Sequence, residues 1–118
     1  MNLCTMADTL GLTTLVAPRD SEREVTGGYA SDLLSCVIAG AHAGNIWVTL
    51  QTHSNIIAIA SLLDLAGIIV TETPDVGHIN QATIEKATEE GVALYTSPFD
   101  TYSIVAKLAT VNVQGADM

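Results

Sequence analysis

The sequence predicts an α/β fold with a mainly parallel central β-sheet of about five strands and helices on both faces. Three observations carry that expectation. Between residues 45 and 109, short apolar β-rich runs alternate with segments of helical period through brief connections, the pattern of right-handed βαβ units. From Leu33 to Leu63 there is no Asp, Glu, Lys or Arg, so a strand and the helices flanking it have to be largely buried. Hydrophobic residues make up 48% of the 118 residues and charged residues only 14%, which excludes global disorder and fits one packed core.

A first helix is expected over residues 2–10, with Leu3, Met6, Ala7 and Leu10 on one face, Asn2 as N-cap and Gly11 at its exit. Leu12–Val16 is β-rich and reads as a strand. The charged turn 18–24 holds Arg19 and Arg23, half of the cations, and a short strand is expected from Glu24 to Thr26, broken by Gly27-Gly28. Ser31 or Asp32 is expected to cap a helix through about Ala41, with Leu33, Leu34, Val37, Ile38 and Ala41 at helical spacing.

Residues 46–50, Ile-Trp-Val-Thr-Leu, form the clearest strand. The next helix, about 54–65, carries Ile56, Ile57, Ile59, Leu62, Leu63 and Leu65, so apolar side chains surround it. Residues 67–71 suit a central parallel strand. An amphipathic helix follows over 80–90 with Ile84 and Ala87 inward, and Gly91 ends it. Residues 92–96 give another strand, and Ser97-Pro98-Phe99-Asp100 predicts a helix start with Ser97 as cap, Pro98 at N1 and Asp100 at N3. That helix runs from about 98 to 109, and 114–118 is expected to be a frayed tail.

Several function classes are excluded. A net charge of −9 from 13 acids and 4 cations leaves nothing from which to build a nucleic-acid surface. Gly40, Gly44-Asn45 and the polar run 51–55 interrupt the uncharged stretch, so it never reaches the roughly 20 apolar residues of a membrane span. The N-terminal residues lack a basic n-region and an apolar h-region, and a cytoplasmic protein is expected. Cys4 and Cys36 make no disulfide framework and no zinc spacing. There is no GxxxxGK[ST], GxGxxG or GxSxG. No metal, no cofactor and no enzymatic activity are expected.

The remaining chemistry-bearing residues are few. His53, in Gln51-Thr52-His53-Ser54-Asn55, falls at the C-terminal end of a predicted buried strand, where ligands of parallel sheets bind; the alternative is a cap in which His53 bonds to backbone. His42 and His78 have no metal-ligand partner at sequence spacing. Asp32 and Asp100 fall at predicted helix starts, where capping accounts for them. Trp47 reads as core.

The segments Val25-Thr26-Gly27-Gly28-Tyr29-Ala30-Ser31-Asp32-Leu33-Leu34-Ser35, then 46–53, 63–69, 87–91 and 97–101, in this order and spacing, resemble the DRTGG domain family. The resemblance covers roughly residues 2–110, and a single domain is expected over 1–118, with that stretch as its core and 111–118 as a C-terminal tail. It implies a fold like the N-terminal domain of HPr kinase, and a regulatory or dimerising module like those found in phosphate acetyltransferases and between the CBS domains of certain pyrophosphatases. Relatives often carry Thr-Gly-Gly where this chain has Thr71-Glu72-Thr73. The acid there replaces a permissive backbone and opposes anion binding.

Three functional readings follow. The first is a non-catalytic regulatory module that homodimerises, acts on an as yet unidentified partner protein, and uses Ile56, Ile59 and Leu63 as its dimer surface, because apolar residues surround that helix. The second is a sensor of a small ligand, such as an adenine nucleotide or acidic metabolite, in a crevice built from Thr26, Gly27, Gly28, Asp32, Thr52, His53, Asn55, Thr71 and Ser97. The third, with the thinnest support, is acid-base chemistry by His53 with Asp32 or Asp100.

Overall fold

The computed structural model describes residues 1–116. Five strands, β1 (Thr13–Val16), β2 (Gly27–Ala30), β3 (Asn45–Thr49), β4 (Gly67–Val70) and β5 (Ala93–Thr96), make one sheet in the order β1-β5-β4-β3-β2. Strands β2 to β5 are parallel, and β1 runs antiparallel along β5. The helices are α1 (Leu3–Leu10), α2 (Leu34–Gly40), α3 (Asn55–Leu63), α4 (Gln81–Glu90) and α5 (Thr101–Thr110). The mostly parallel five-stranded sheet is as the sequence predicts.

Each parallel strand pairs with the next one along the chain, and the two apolar clusters record the result. Val37, Ile56, Ile57, Ile59 and Ala87 from α2, α3 and α4 pack with Trp47, Ile68, Val70 and Leu94 on one face. Leu3, Met6, Ala7 and Leu10 of α1 and Ile104 and Leu108 of α5 pack with Ile46, Val48, Ile69 and Tyr95 on the other. Successive strand residues alternate between the clusters, as the pleat requires. Strands β3, β4 and β5 are buried along their whole length, which explains their continuous apolar runs.

Helix α1 follows its sequence signals: the Asn2 side chain accepts from Thr5 N at 2.8 Å and Gly11 ends the helix at φ +66°. Asn80 likewise caps α4, accepting from Ala82 N. Four local expectations are corrected. Glu24 forms only a lone bridge to Asn2, and Gly27-Gly28 opens β2 instead of breaking a strand. The missing side chains matter because a Cβ on Gly27 would lie 3.1 Å from the Gln114 carbonyl and 3.2 Å from Asn45 Nδ2. Asp32 does not cap α2, whose N-cap position is Leu33 with no side-chain bond. Ser97 does not start α5: its carbonyl accepts from Thr73 N and Thr73 Oγ1, so Asp100 caps the helix three residues later, accepting from Ser103 N at 2.7 Å. Residues 114–116 are not frayed, since Gly28 N donates to Gln114 O and Ala116 N to Gly28 O, covering part of the outer edge of β2; residues 117–118 lie outside the described part.

Candidate functional site

Parallel sheets bind ligands beyond the C-terminal ends of their strands. Here that rim is built from the segments leaving β2 (31–33), β3 (50–53), β4 (71–73) and β5 (97–101). Asp32 reaches across from β2 to β3, where its Oδ1 accepts from Thr49 Oγ1 at 2.8 Å and from Leu50 N at 2.6 Å. Thr71 Oγ1 lies 2.7 Å from Thr101 Oγ1. Thr73 Oγ1 donates to the carbonyls of Ser97 and Val70. Ser97 Oγ accepts from Phe99 N. Thr49, Thr71, Thr73 and Ser97 are all buried, so these hydroxyls tie the strand ends to one another.

The nine residues assigned from sequence to one crevice are divided. Asp32, Thr71 and Ser97 share the rim. Thr52 and His53 lie on its β3 segment and Asn55 just beyond, where α3 begins: Thr52 O accepts from Thr83 Oγ1 at 2.7 Å, and the exposed His53 accepts through Nδ1 from Asn55 N. Thr26, Gly27 and Gly28 are at the opposite end of β2, about 10 Å away along a four-residue strand. There Thr26 Oγ1 donates to Ala43 O and accepts from Asn45 Nδ2. His53 and Asp100 are engaged by the backbone of their own segments and Asp32 by that of the β3 exit, not by one another. The backbone N–H of Ser103, and then its hydroxyl, holds the Asp100 carboxyl below the usual carboxylate range. That stabilisation of α5 is present above the ordinary Asp titration and is lost as pH falls through the lowered value.

The residues expected to form a dimer surface are instead largely covered by the chain's own core. Ile56 is 0% and Ile59 8% exposed within a single chain, and Leu63 is half-buried against the same core. The large apolar side chain that α3 leaves in solvent is Leu62, 74% exposed. The apolar ring of α3, assigned from its period to a dimer surface, is taken up within the chain because α2 and α4 cover the sides that one sheet face cannot.

Glu72 leaves β4 with φ +57°, the left-handed conformation that glycine adopts without a penalty. A non-glycine residue there costs roughly 1–2 kcal/mol, while glycine gives up about 0.5–1 kcal/mol through its freer unfolded chain. Glu72→Gly is therefore expected to raise stability by about 0.5–1 kcal/mol and the melting temperature by a few degrees. A lowered melting temperature in a thermal scan would mean that the glutamate makes a compensating contact.

Every cation of the chain is engaged. Arg19 donates to the Thr88 and Glu89 carbonyls at the end of α4, and Arg23 to the Asp64 carboxylate and carbonyl at the end of α3. These are the favourable positions for cations on the helix dipole. Lys86 pairs with Glu90, and Lys107 lies 4.8 Å over the Phe99 ring. Among the described residues no group of three His, Cys, Asp or Glu could hold a metal ion, and no helix is long and apolar enough to cross a membrane.

Sequence reasoning missed Thr49, Thr73 and Thr101 as rim residues because threonine is first read as a strand former. Thr49 ends β3, Thr73 follows β4 and Thr101 opens α5, so threonine recurring around the predicted strand exits is the signal that was available.

No family model matches the sequence, and no curated protein matches it. Among solved structures, the chain is similar to the CBS and DRTGG domains of the regulatory region of Clostridium perfringens pyrophosphatase, a structure complexed with the activator diadenosine tetraphosphate. The TM-score is 0.69 at 16% identity, with 98% of this chain and 51% of that chain covered. This chain thus spans about half the length of that neighbour, and what the two share is the fold: a DRTGG-like α/β domain.

Proposed function

We propose that this chain is a non-catalytic regulatory module that self-associates and acts on a partner protein. The observation that carries the reading is the state of the rim: its buried hydroxyls are bonded to the protein's own acceptors, and both arginines are held at helix ends away from it. A polyphosphate would meet no free guanidinium there and a chain of net charge −9. The fold shared with a regulatory region supports the same reading.

The neighbour's activator favours a second reading, sensing of an adenine nucleotide or an acidic metabolite. Thermal shifts against a panel of such ligands separate the two. Saturation at about 100 times Kd would add roughly 2.7 kcal/mol, a shift on the order of 10 °C. The regulatory reading expects a flat panel; a saturable shift would replace it with the sensor.

Self-association is assigned to the outer sides of α2 and α3, where Ile38 is 48% and Leu62 74% exposed. Leu62→Glu is expected to weaken the dimer at least tenfold in light scattering without lowering the melting temperature, because the side chain makes little contact within the chain. A monomer at high micromolar concentration in the unaltered protein would sink the assignment.

A further inference from the structure

Large apolar side chains left in solvent are usually scattered singly, yet here Leu33 (61% exposed), Leu50 (44%) and Phe99 (48%) belong to the segments that leave β2, β3 and β5 at one rim, and Tyr102 (86%) to the first turn of α5 that follows. Val105 (42%) continues the row one turn along α5. It also lines a mostly apolar cleft of about 60 Å³ between α5, β2 and the C-terminal segment, with Ala30, Val48, Leu108 and Val113 among its walls. The exposed acids Asp32, Glu72 and Asp100 punctuate the same rim, and none of them is in an ion pair among the described residues. The one nearby cation, Lys107, lies over the Phe99 ring.

We infer that this rim and cleft form the docking surface for a cationic segment of a partner protein, whose apolar side chains cover the rim and one of which enters the cleft. Charge decides the occupant. A second copy of this chain would bring its own Asp32, Glu72 and Asp100 against these three, whereas lysines or arginines on a partner would face them at the edge of an apolar contact. A cleft beside exposed aromatic residues is the arrangement of an anchor pocket in a protein interface. The inference rests on the regulatory reading and adds to it the location and the chemistry of the partner contact.

The test uses the full chain, amide-labelled for NMR, and a synthetic amphipathic helix of leucine and lysine as probe, with a leucine–glutamate peptide as its charge-reversed control. Shifts are expected at residues 30–33, 50, 72 and 99–105, with no binding of the control. Tyr102→Ala removes an exposed ring without touching the core and is expected to weaken binding about tenfold. Glu72→Gln is expected to weaken it about threefold and to flatten its salt dependence.

The inference fails if the footprint lies equally on the acids of α4, Glu85, Glu89 and Glu90, which lack an apolar neighbourhood of this kind. It also fails if neither variant changes the affinity, or if the control binds as well. A saturable nucleotide shift in the thermal panel together with an intact peptide footprint would overturn the regulatory reading and leave the surface standing, so the two failures are distinguishable.

Discussion

Trp47→Ala is expected to cost about 4 kcal/mol of stability, within the range for a buried aromatic residue cut back to alanine. Trp47 is 0% exposed and lies at the heart of the layer between the sheet and α2–α4. Its Nε1 also donates to Ser31 O at 2.9 Å, so the substitution both opens a cavity and strips a carbonyl at the exit of β2 of its donor. A domain of this length has a total stability of roughly 6–18 kcal/mol, and the loss is a large part of it. Urea unfolding followed by circular dichroism measures it, since the variant has no tryptophan to report by fluorescence. Trp47→Phe keeps most of the apolar volume and separates the two causes, with an expected loss of about 1–2 kcal/mol for the abandoned hydrogen bond and the smaller ring. A cost below about 2 kcal/mol for Trp47→Ala would show that this layer is not the packed core described above.

Tyr95→Phe is expected to act in the opposite direction and to do so increasingly with pH. The Tyr95 side chain is 1% exposed, and its hydroxyl is the one buried side-chain polar atom among the described residues that lacks a hydrogen-bond partner. Removing an unpaired buried hydroxyl is worth about 1 kcal/mol near neutrality. Burial, and then the charges of Cys4 and Asp8, push the phenol up to about 12. A value raised above that of the unfolded chain means that the fold favours the protonated phenol. Stability from this group is therefore complete below pH 10 and is lost as pH climbs from about 10 to about 12. The loss is on the order of 2 kcal/mol, and Tyr95→Phe escapes it. Paired urea titrations should find the variant ahead by about 1 kcal/mol at pH 8 and by about 3 kcal/mol near pH 12. A gap that stays constant over this range would mean that the hydroxyl is solvated.

The elements whose signals are local were legible in the sequence. The Asn2 and Gly11 caps, the period of α4 and the apolar runs of β3, β4 and β5 each depend on neighbours a few residues away, and each forms where the sequence places it. The strand order could not be read, because nothing local specifies which strands pair. The misplaced features share a cause: a distant contact overrules a local preference. Ser97 is a good cap by type, but its carbonyl is taken by Thr73. Gly27-Gly28 looks like a break, but the backbone of residues 114–116 needs the space beside it. Asp32 suits a helix start, but Thr49 and Leu50 claim its carboxylate. The site followed the same rule. Asp32, Thr71 and Ser97 do fall at strand exits, whereas Thr26, Gly27 and Gly28 were joined to them because a strand is expected to end at Thr26, and the strand that forms instead begins at Gly27.

The pairing of β1 with β5 has a bearing on how the molecule is made. Strands β3, β4 and β5 each pair with the strand synthesised just before, so the sheet can grow outward from β2 as the chain emerges, one short-range closure at a time. Strand β1 has no such neighbour: Thr13 faces Thr96 and Thr14 faces Tyr95, so the first strand made waits for the last. At the pace of a ribosome that wait is on the order of ten seconds. During it the apolar face of α1, with Leu3, Met6 and Leu10, has no finished surface to cover. The sheet is therefore complete only when β5 arrives beside a strand that has been waiting for it, and the face that α1 covers only when α5 follows.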